Sequence, residues 1–253
     1  MALVTAAYFA YLAGIAVARR RWRPAALALT ALVILFTVGM ASILPLVYLL
    51  AGYWLPAMLV REPNTRLERR LLDVDRTLFG AQGLERFANA APRVVIEYLE
   101  LAYLLCYAVV PAGFAILLMA GHGGDTLDTF WSIVLFAAFV CYGLLPWLPT
   151  RAPRAIEPPL HGTRSSIRHL NLAVLNRASV QWNTFPSGHT AASLATALAV
   201  GIHMPVAGVV LGVVALSIAA GSVVGRYHYA ADAIIGAAVA VLAFVMAIAA
   251  RGL

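Results

Sequence analysis

Residues 205–250 read PVAGVVLGVVALSIAAGSVVGRYHYAADAIIGAAVAVLAFVMAIAA. The stretch holds two apolar runs, 205–224 and 229–250, each close to the ~20 helical residues that cross a ~30 Å hydrocarbon core. Its ionisable groups are gathered at the junction: Arg226, His228 and Asp232. His228 and Asp232 are four residues apart, so on a helix they share a face and can touch. A carboxylate beside an imidazole fixes its tautomer and stabilises the protonated ring. An ionisable residue carried into an uncharged span is a functional candidate by default. The alternative is an interfacial pair that only holds helices together.

The apolar pattern extends outward along the chain. Of 253 residues, 62% are hydrophobic and 11% charged, whereas soluble domains carry about 25% charged residues; mean hydropathy is +0.86. Further apolar runs occupy 2–18, 25–60, 94–119, 129–148 and 188–203. The expected fold class is therefore all-α: a polytopic membrane helical bundle of about six or seven transmembrane helices plus an amphipathic surface helix. The basic cluster follows the run 2–18 instead of preceding it, so that run reads as a spanning or anchoring helix, not a signal peptide. Gly39, Pro45, Gly52 and Pro56 interrupt 25–60, which predicts one span to about residue 50 and a bent or interfacial extension. Residues 61–93 are charge-dense, with Leu67, Leu71, Leu72, Leu78 and Phe79 at amphipathic spacing, which predicts a helix on the membrane surface. No long polar linker divides the chain. Residues 1–93 supply N-terminal spans and the surface segment, and 94–253 the core of one integrated membrane domain.

All 18 basic residues are arginines. Arginine grips phosphate oxygens bidentately, so the formal charge of +7 points to phosphate chemistry or anionic headgroups and away from nucleic acid as a partner. Cys106 and Cys141 lie inside apolar runs and read as buried, inert thiols. Counting spans puts 61–93, 149–187 and 225–228 on one membrane face. The other face receives 19–24, 120–128, 203–205 and the C-terminus. The cluster Arg19, Arg20, Arg21 and Arg23 then assigns that second face to the cytoplasm. The expectation is a multi-pass protein of the plasma (inner) membrane with its active site on the extracytoplasmic face.

Two more segments join the His228 turn on the first face. Phe185-Pro186-Ser187-Gly188-His189-Thr190 opens an apolar helix. The unpaired N–H groups of a first helical turn are an anion site, and glycine admits a ligand close to the backbone. His189 stands where it can reach a phosphorus atom held there. In Leu145-Pro146-Trp147-Leu148-Pro149-Thr150-Arg151-Ala152-Pro153-Arg154, the prolines end the preceding helix and leave Arg151 and Arg154 at the membrane surface. Headgroup anchoring is the other reading of each arginine.

Together these segments resemble the type 2 phosphatidic acid phosphatase superfamily, over roughly residues 145–236. Its signatures are a Lys/Arg–Pro segment, PSGH, and an Arg followed by HxxxD. Residues 186–189 match the second in full, and His228 with Asp232 match the catalytic half of the third. The first signature's KxxxxxxRP form is absent. Ser222 stands six residues before His228, where the usual arginine would be, and Arg226 stands two before it. The Pro-Thr-Arg-Ala-Pro-Arg run, the Asn183-Thr184-Phe185 lead-in and the Arg-Tyr-His-Tyr form are similar to the inositol phosphorylceramide synthase-like branch. That branch includes phosphotransferases as well as phosphatases.

The chemistry expected is covalent. Arg151, Arg154 and Arg226, with Ser187 and the Gly188 and His189 N–H groups, would clamp the phosphate. His189 attacks phosphorus, His228 protonates the leaving oxygen, and Asp232 orients His228. No metal or other cofactor is expected: arginines would compete with a cation, and neither HExxH nor paired Cys/His spacing occurs. The partner is a membrane lipid with a phosphate headgroup, and the acceptor is water or an alcohol. Glu97 and Glu100, with Arg168, are candidate acceptor or headgroup contacts; pairing with Arg93 or the surface helix is the alternative. His161, Arg164 and His169 belong to the connecting loop. A non-catalytic anionic-lipid carrier would need the arginines but not the nucleophile and its acid. Nothing in the pattern assigns an oligomeric state.

Overall fold

The computed structural model describes residues 1–40, 43–157, 165–180 and 182–252, so His161 and Arg164 lie outside the described residues. Among those described, the regular structure is helical: α1 (Ala2–Ala18), α2 (Trp22–Thr37), α3 (Leu44–Ala57), α4 (Thr65–Phe79), α5 (Gly83–Ala90), α6 (Arg93–Leu104), α7 (Val109–Met119), α8 (Asp125–Leu144), α9 (Ser166–Ala178), α10 (Gly188–Gly201), α11 (Pro205–Val224) and α12 (Ala230–Arg251). Three of these, α8, α11 and α12, are each long and apolar enough to cross a membrane. The pair α6 and α7, bent by 65° at the turn between them, passes the same test together, and α1, α2 and α3 are shorter apolar helices.

At the centre stands α10, packed against α8, α11 and α12. Ala191, Ala195 and Ala199 are buried along it. Small side chains let apolar helices approach closely where lipid gives no hydrophobic drive for association. One close approach brings Gly208 of α11 against the backbone of Gly201.

The structure departs from the expected topology in one place with wide consequences. Residues 25–60 form two helices, not one span and an extension. Gly39 takes φ +82, a left-handed backbone that glycine adopts without strain, and Pro45 sits at the start of α3, where its missing N–H costs nothing. The chain therefore traverses the bundle once more than the span count assumed. The α1–α2 turn lands at the end of the bundle opposite to the one expected for it. There Arg19 donates from Nη1 to the Leu59 carbonyl (2.7 Å) and from Nη2 to the Pro146 carbonyl (3.1 Å). Its guanidinium lies 4.7 Å from the Trp147 ring centroid. Residues 19–23 thus share an end with the exits of α3 and α8 and with segment 149–157. The far end gathers the Met1 amino group, 3.8 Å from Asp128, and Arg251 Nη2, 2.6 Å from the same carboxylate. The His122 and His203 rings also meet there, 5.2 Å apart.

The surface helix is present as α4. Asn64 caps it, accepting from the Leu67 N–H at 3.1 Å. Leu71 and Leu72 pack with Tyr229, joined by Leu67, Ile156, Phe185 and Ala231. The amphipathic face therefore lies over Ile156, Phe185 and the start of α12.

Replacing Gly208 by alanine puts a Cβ onto the Gly201 Cα, whereas a Cβ at Gly212 meets nothing within 4 Å. We expect Gly208→Ala to lower stability by about 1–3 kcal/mol in a detergent unfolding titration. Gly212→Ala serves as the silent control.

Candidate active site

Main-chain bonds stitch three distant segments together at the α4 end. The Asn183 N–H donates to the Thr150 carbonyl (2.7 Å), Arg154 N–H to the Arg226 carbonyl (3.2 Å), and Ser187 N–H to the Asp232 carbonyl (2.9 Å). The Tyr229 hydroxyl adds a fourth tie, to the Arg151 carbonyl at 3.0 Å. The start of α10, the exit of α8 and the start of α12 are thereby fixed relative to one another.

Asp232 lies in the first turn of α12 and is fully buried. Its Oδ2 accepts from Asn183 Nδ2 (2.6 Å) and from the Tyr229 N–H (3.1 Å), and faces His228 Nδ1 at 3.3 Å. A carboxylate at Nδ1 makes that nitrogen the donor and leaves Nε2 for chemistry. His189, in the first turn of α10, has its ring centroid 5.9 Å from that of His228, at 80°. The rings of Tyr53, Tyr103 and Tyr107 surround His189 at 6.1, 6.0 and 5.5 Å. Both histidines line a cavity of about 30 Å³ whose wall also includes Arg154, Asn183, Trp182 and Tyr53. Burial, and then the charge of Arg154, lower the His228 imidazole to about 3, so at rest it is neutral.

The structure redistributes the expected phosphate ligands. Of the three arginines, Arg154 lines the cavity. Arg151 is instead held by Glu68, to which its N–H, Nε and Nη2 donate at 2.8, 3.0 and 2.8 Å. Burial pushes the Glu68 carboxyl up, but these bonds outweigh it and hold the group below the usual range. Arg226 is paired with Glu157 and takes a left-handed φ of +58. Ser187 is fully buried and caps α10, its hydroxyl accepting from Thr190 N–H at 3.3 Å. The Gly188 N–H donates to Thr184 Oγ1 at 3.1 Å, and the Tyr142 ring fills the space where a side chain would stand. Both residues shape the helix start rather than offer donors to the cavity.

The candidate acceptor contacts are likewise engaged elsewhere. Glu97 accepts from Ser165 Oγ (2.7 Å) and Ser166 N–H (3.2 Å) at the start of α9, with Arg93 at 3.5 Å. Glu100 is buried and accepts from Arg168 Nη1 (2.8 Å), Asn171 Nδ2 (2.8 Å) and the Tyr227 hydroxyl (2.6 Å). His169 is exposed, with Nδ1 2.9 Å from the Ser165 carbonyl. These residues tie α6, α9 and Tyr227 together behind the cavity. Among the cavity's own residues, Asn183 stood in the sequence only as part of a lead-in. Tyr53, Tyr103 and Trp182 carry no signal that separates them from other aromatic residues of apolar helices and loops.

A family model described as the PAP2 superfamily matches residues 69–246. Nothing matches among curated proteins or among solved structures.

Asp75 of α4 extends the site's frame. Its Oδ1 accepts from the Ala230 N–H at 2.9 Å. Burial, with the nearby Asp232 charge, raises its carboxyl from 3.8 to about 6. The folded state thus holds this proton more tightly than the unfolded chain. Stability therefore falls as pH rises through that window and stays lower above it. Asp75→Asn keeps the acceptor and cannot ionise. In thermal melts it should exceed the parent at neutral pH, with the advantage gone by about pH 4.

Proposed function

Because the chain belongs to the PAP2 superfamily, we propose that it is an integral membrane lipid phosphatase working through a phosphohistidine at His189. The observation that carries the reading is the facing pair of imidazoles, 5.9 Å apart, with Arg154 on the cavity wall and Asp232 behind His228. A purely structural histidine pair would need neither the arginine nor the oriented carboxylate.

The phosphate of a lipid phosphate or diphosphate enters against Arg154, which neutralises charge developing on its oxygens. A negative phosphate beside His228 opposes the effect of burial and brings a proton onto the ring. The His189 nitrogen then attacks phosphorus while the bond to the lipid oxygen breaks, and that oxygen takes the His228 proton. Water enters and gives a proton to His228 as its oxygen attacks phosphorus; the P–N bond breaks, which frees the His189 nitrogen and releases phosphate. The scheme uses no metal. The Tyr53 hydroxyl, bonded to Ser179 and to the Val180 N–H, stands in the cavity wall that the headgroup enters against.

Transfer to an alcohol is the second reading, supported by the likeness of the Arg-Tyr-His-Tyr turn to the inositol phosphorylceramide synthase-like branch. Hydrolysis is favoured here because Glu97 and Glu100, the carboxylates that could hold a polyol, are occupied in helix packing.

The test is phosphate release from a panel of lipid phosphates by purified protein, with and without inositol or glycerol. His189→Ala and His228→Ala should each lose roughly 10²–10⁴-fold in turnover. Arg154→Ala should lose about 10²–10³-fold, and Arg151→Ala far less, its effect falling on stability through Glu68. Near-parental turnover in His189→Ala would sink the covalent scheme, and a labelled phospho-alcohol would establish transfer instead.

A further inference from the structure

We propose that the bundle carries a lipid-binding site apart from the histidine cavity, where α1 and α8 hold one phospholipid of net charge −1 whose headgroup ends in hydroxyls. Its acyl chain lies in a groove between the two helices, and its phosphodiester meets Arg19 and Arg61. The groove measures about 500 Å³ and runs past Val4, Tyr8 and Tyr11 of α1 and Phe136, Phe139 and Val140 of α8. Pockets that hold small ligands span ~300–1,000 Å³ and are mostly apolar; no charged side chain lines this one among the described residues. Its floor is set, because the Tyr8 and Phe139 rings stack at 4.0 Å and 4°, and the Tyr8 hydroxyl donates to the Gly52 carbonyl at 2.7 Å.

A polar pocket of about 320 Å³ opens where the same two helices end, lined by Arg19, Arg61, Glu62, Asn64 and Trp147 among others. Trp147 joins it to the groove. The Arg19 guanidinium lies 4.7 Å from its ring centroid. Its Nε1 donates to the Tyr11 hydroxyl at 2.7 Å, which donates in turn to the Gly143 carbonyl at 2.8 Å. Tryptophan suits such a junction, with an apolar body and one polar end. Arg19 and Tyr11 are eight residues apart, about 12 Å of helical rise. One leaflet supplies ~15 Å of hydrocarbon, so a phosphate at Arg19 and a chain along Tyr11 fit a single lipid.

The polar pocket is furnished for a phosphodiester. Arg19 commits one donor to the Leu59 carbonyl and one to the Pro146 carbonyl, which leaves the rest of its five N–H groups. Arg61 is exposed and makes no ion pair among the described residues. Asn64 gives its Oδ1 to the α4 cap and keeps Nδ2 as a donor. Two arginines against Glu62 leave a net charge of +1, which a headgroup of charge −1 balances, while Glu62 accepts from its hydroxyls. Phosphocholine would bring a further cation and no donor for Glu62. Free phosphate would meet the arginines but leave the groove empty. Neither pocket shares a lining residue with the histidine cavity, and the proposal does not depend on the phosphatase reading.

Binding is read without turnover. The full chain, purified in maltoside detergent and stripped of lipid, is titrated with phosphatidylglycerol, phosphatidylethanolamine or phosphatidylcholine of identical acyl chains, and native mass spectrometry counts what stays bound. A single phosphatidylglycerol should be held about tenfold more tightly than either other lipid. Arg61→Gln and Ala7→Phe, which fills the groove, should each weaken it by about tenfold. Both positions are exposed, and lipid-free thermal melts check that the variants fold. Arg23→Gln, an exposed arginine outside the pocket, and Arg154→Ala in the histidine cavity should bind as the parent does. Equal retention of the three lipids, parental binding in Arg61→Gln or Ala7→Phe, loss of binding in Arg154→Ala, or equal stabilisation by inorganic phosphate alone would each overturn the proposal.

Discussion

One buried carboxylate organises the end of the bundle that holds the two histidines. Asp232 is inaccessible to solvent, yet its Oδ2 serves Asn183, the Tyr229 N–H and His228 at once, and its carbonyl takes the Ser187 N–H. A buried carboxylate is costly unless donors meet it. The donors to Oδ2 come from the entry to α10 and the turn before α12, while Oδ1 has no partner among the described residues, so holding Oδ2 also fixes the two histidines. Asn183 carries the coupling further, because its own N–H reaches the Thr150 carbonyl. The α8 exit, and Arg154 with it, is thereby held in the same frame.

The parts legible in the sequence were those whose chemistry is conspicuous against their surroundings. Apolar runs of bilayer length announce helices, and His189, His228 and Asp232 stand out because their neighbours are apolar. What could not be read was long-range pairing. Arg151, Arg154 and Arg226 look alike along the chain. Only the fold brings Glu68 to Arg151 across 83 residues and Glu157 to Arg226 across 69, leaving Arg154 to face the cavity. Similarly, Gly39 and Gly52 both interrupt an apolar run. Gly39 turns the chain with a left-handed φ, whereas Gly52 sits inside α3 under the Phe139 ring. Mistaking one for the other changes the number of traverses. Parity then carries the error to every loop upstream, which is how residues 19–23 came to be assigned to the wrong end.

The surface helix belongs to the site's architecture. The motif resemblance covers residues 145–236, but the family match begins at residue 69, within α4. Two carboxylates of that helix explain why it is needed. Glu68 takes three donors from Arg151, and Asp75 satisfies the first N–H of α12. The apolar face, Leu71 and Leu72 on Tyr229, keeps both carboxylates out of bulk water. An α12 start without Asp75 would leave a buried donor beside Asp232, so the helix and the aspartate are parts of one polar network.

Under the proposed reaction, the resting state of that network bears on how the acid is armed. The cavity measures about 30 Å³, and burial with the Arg154 charge keeps His228 uncharged. Two imidazoles beside Arg154 could not all be positive without a counter-ion, since like charges in a poorly hydrated space repel strongly. In the proposed reaction a phosphate headgroup supplies that counter-ion. In that scheme its entry allows His228 to be protonated when an acid is required, while His189, the proposed nucleophile, must remain neutral to attack. Substrate binding and arming of the acid are then a single linked equilibrium. The enzyme does not have to hold a charged imidazole buried between turnovers.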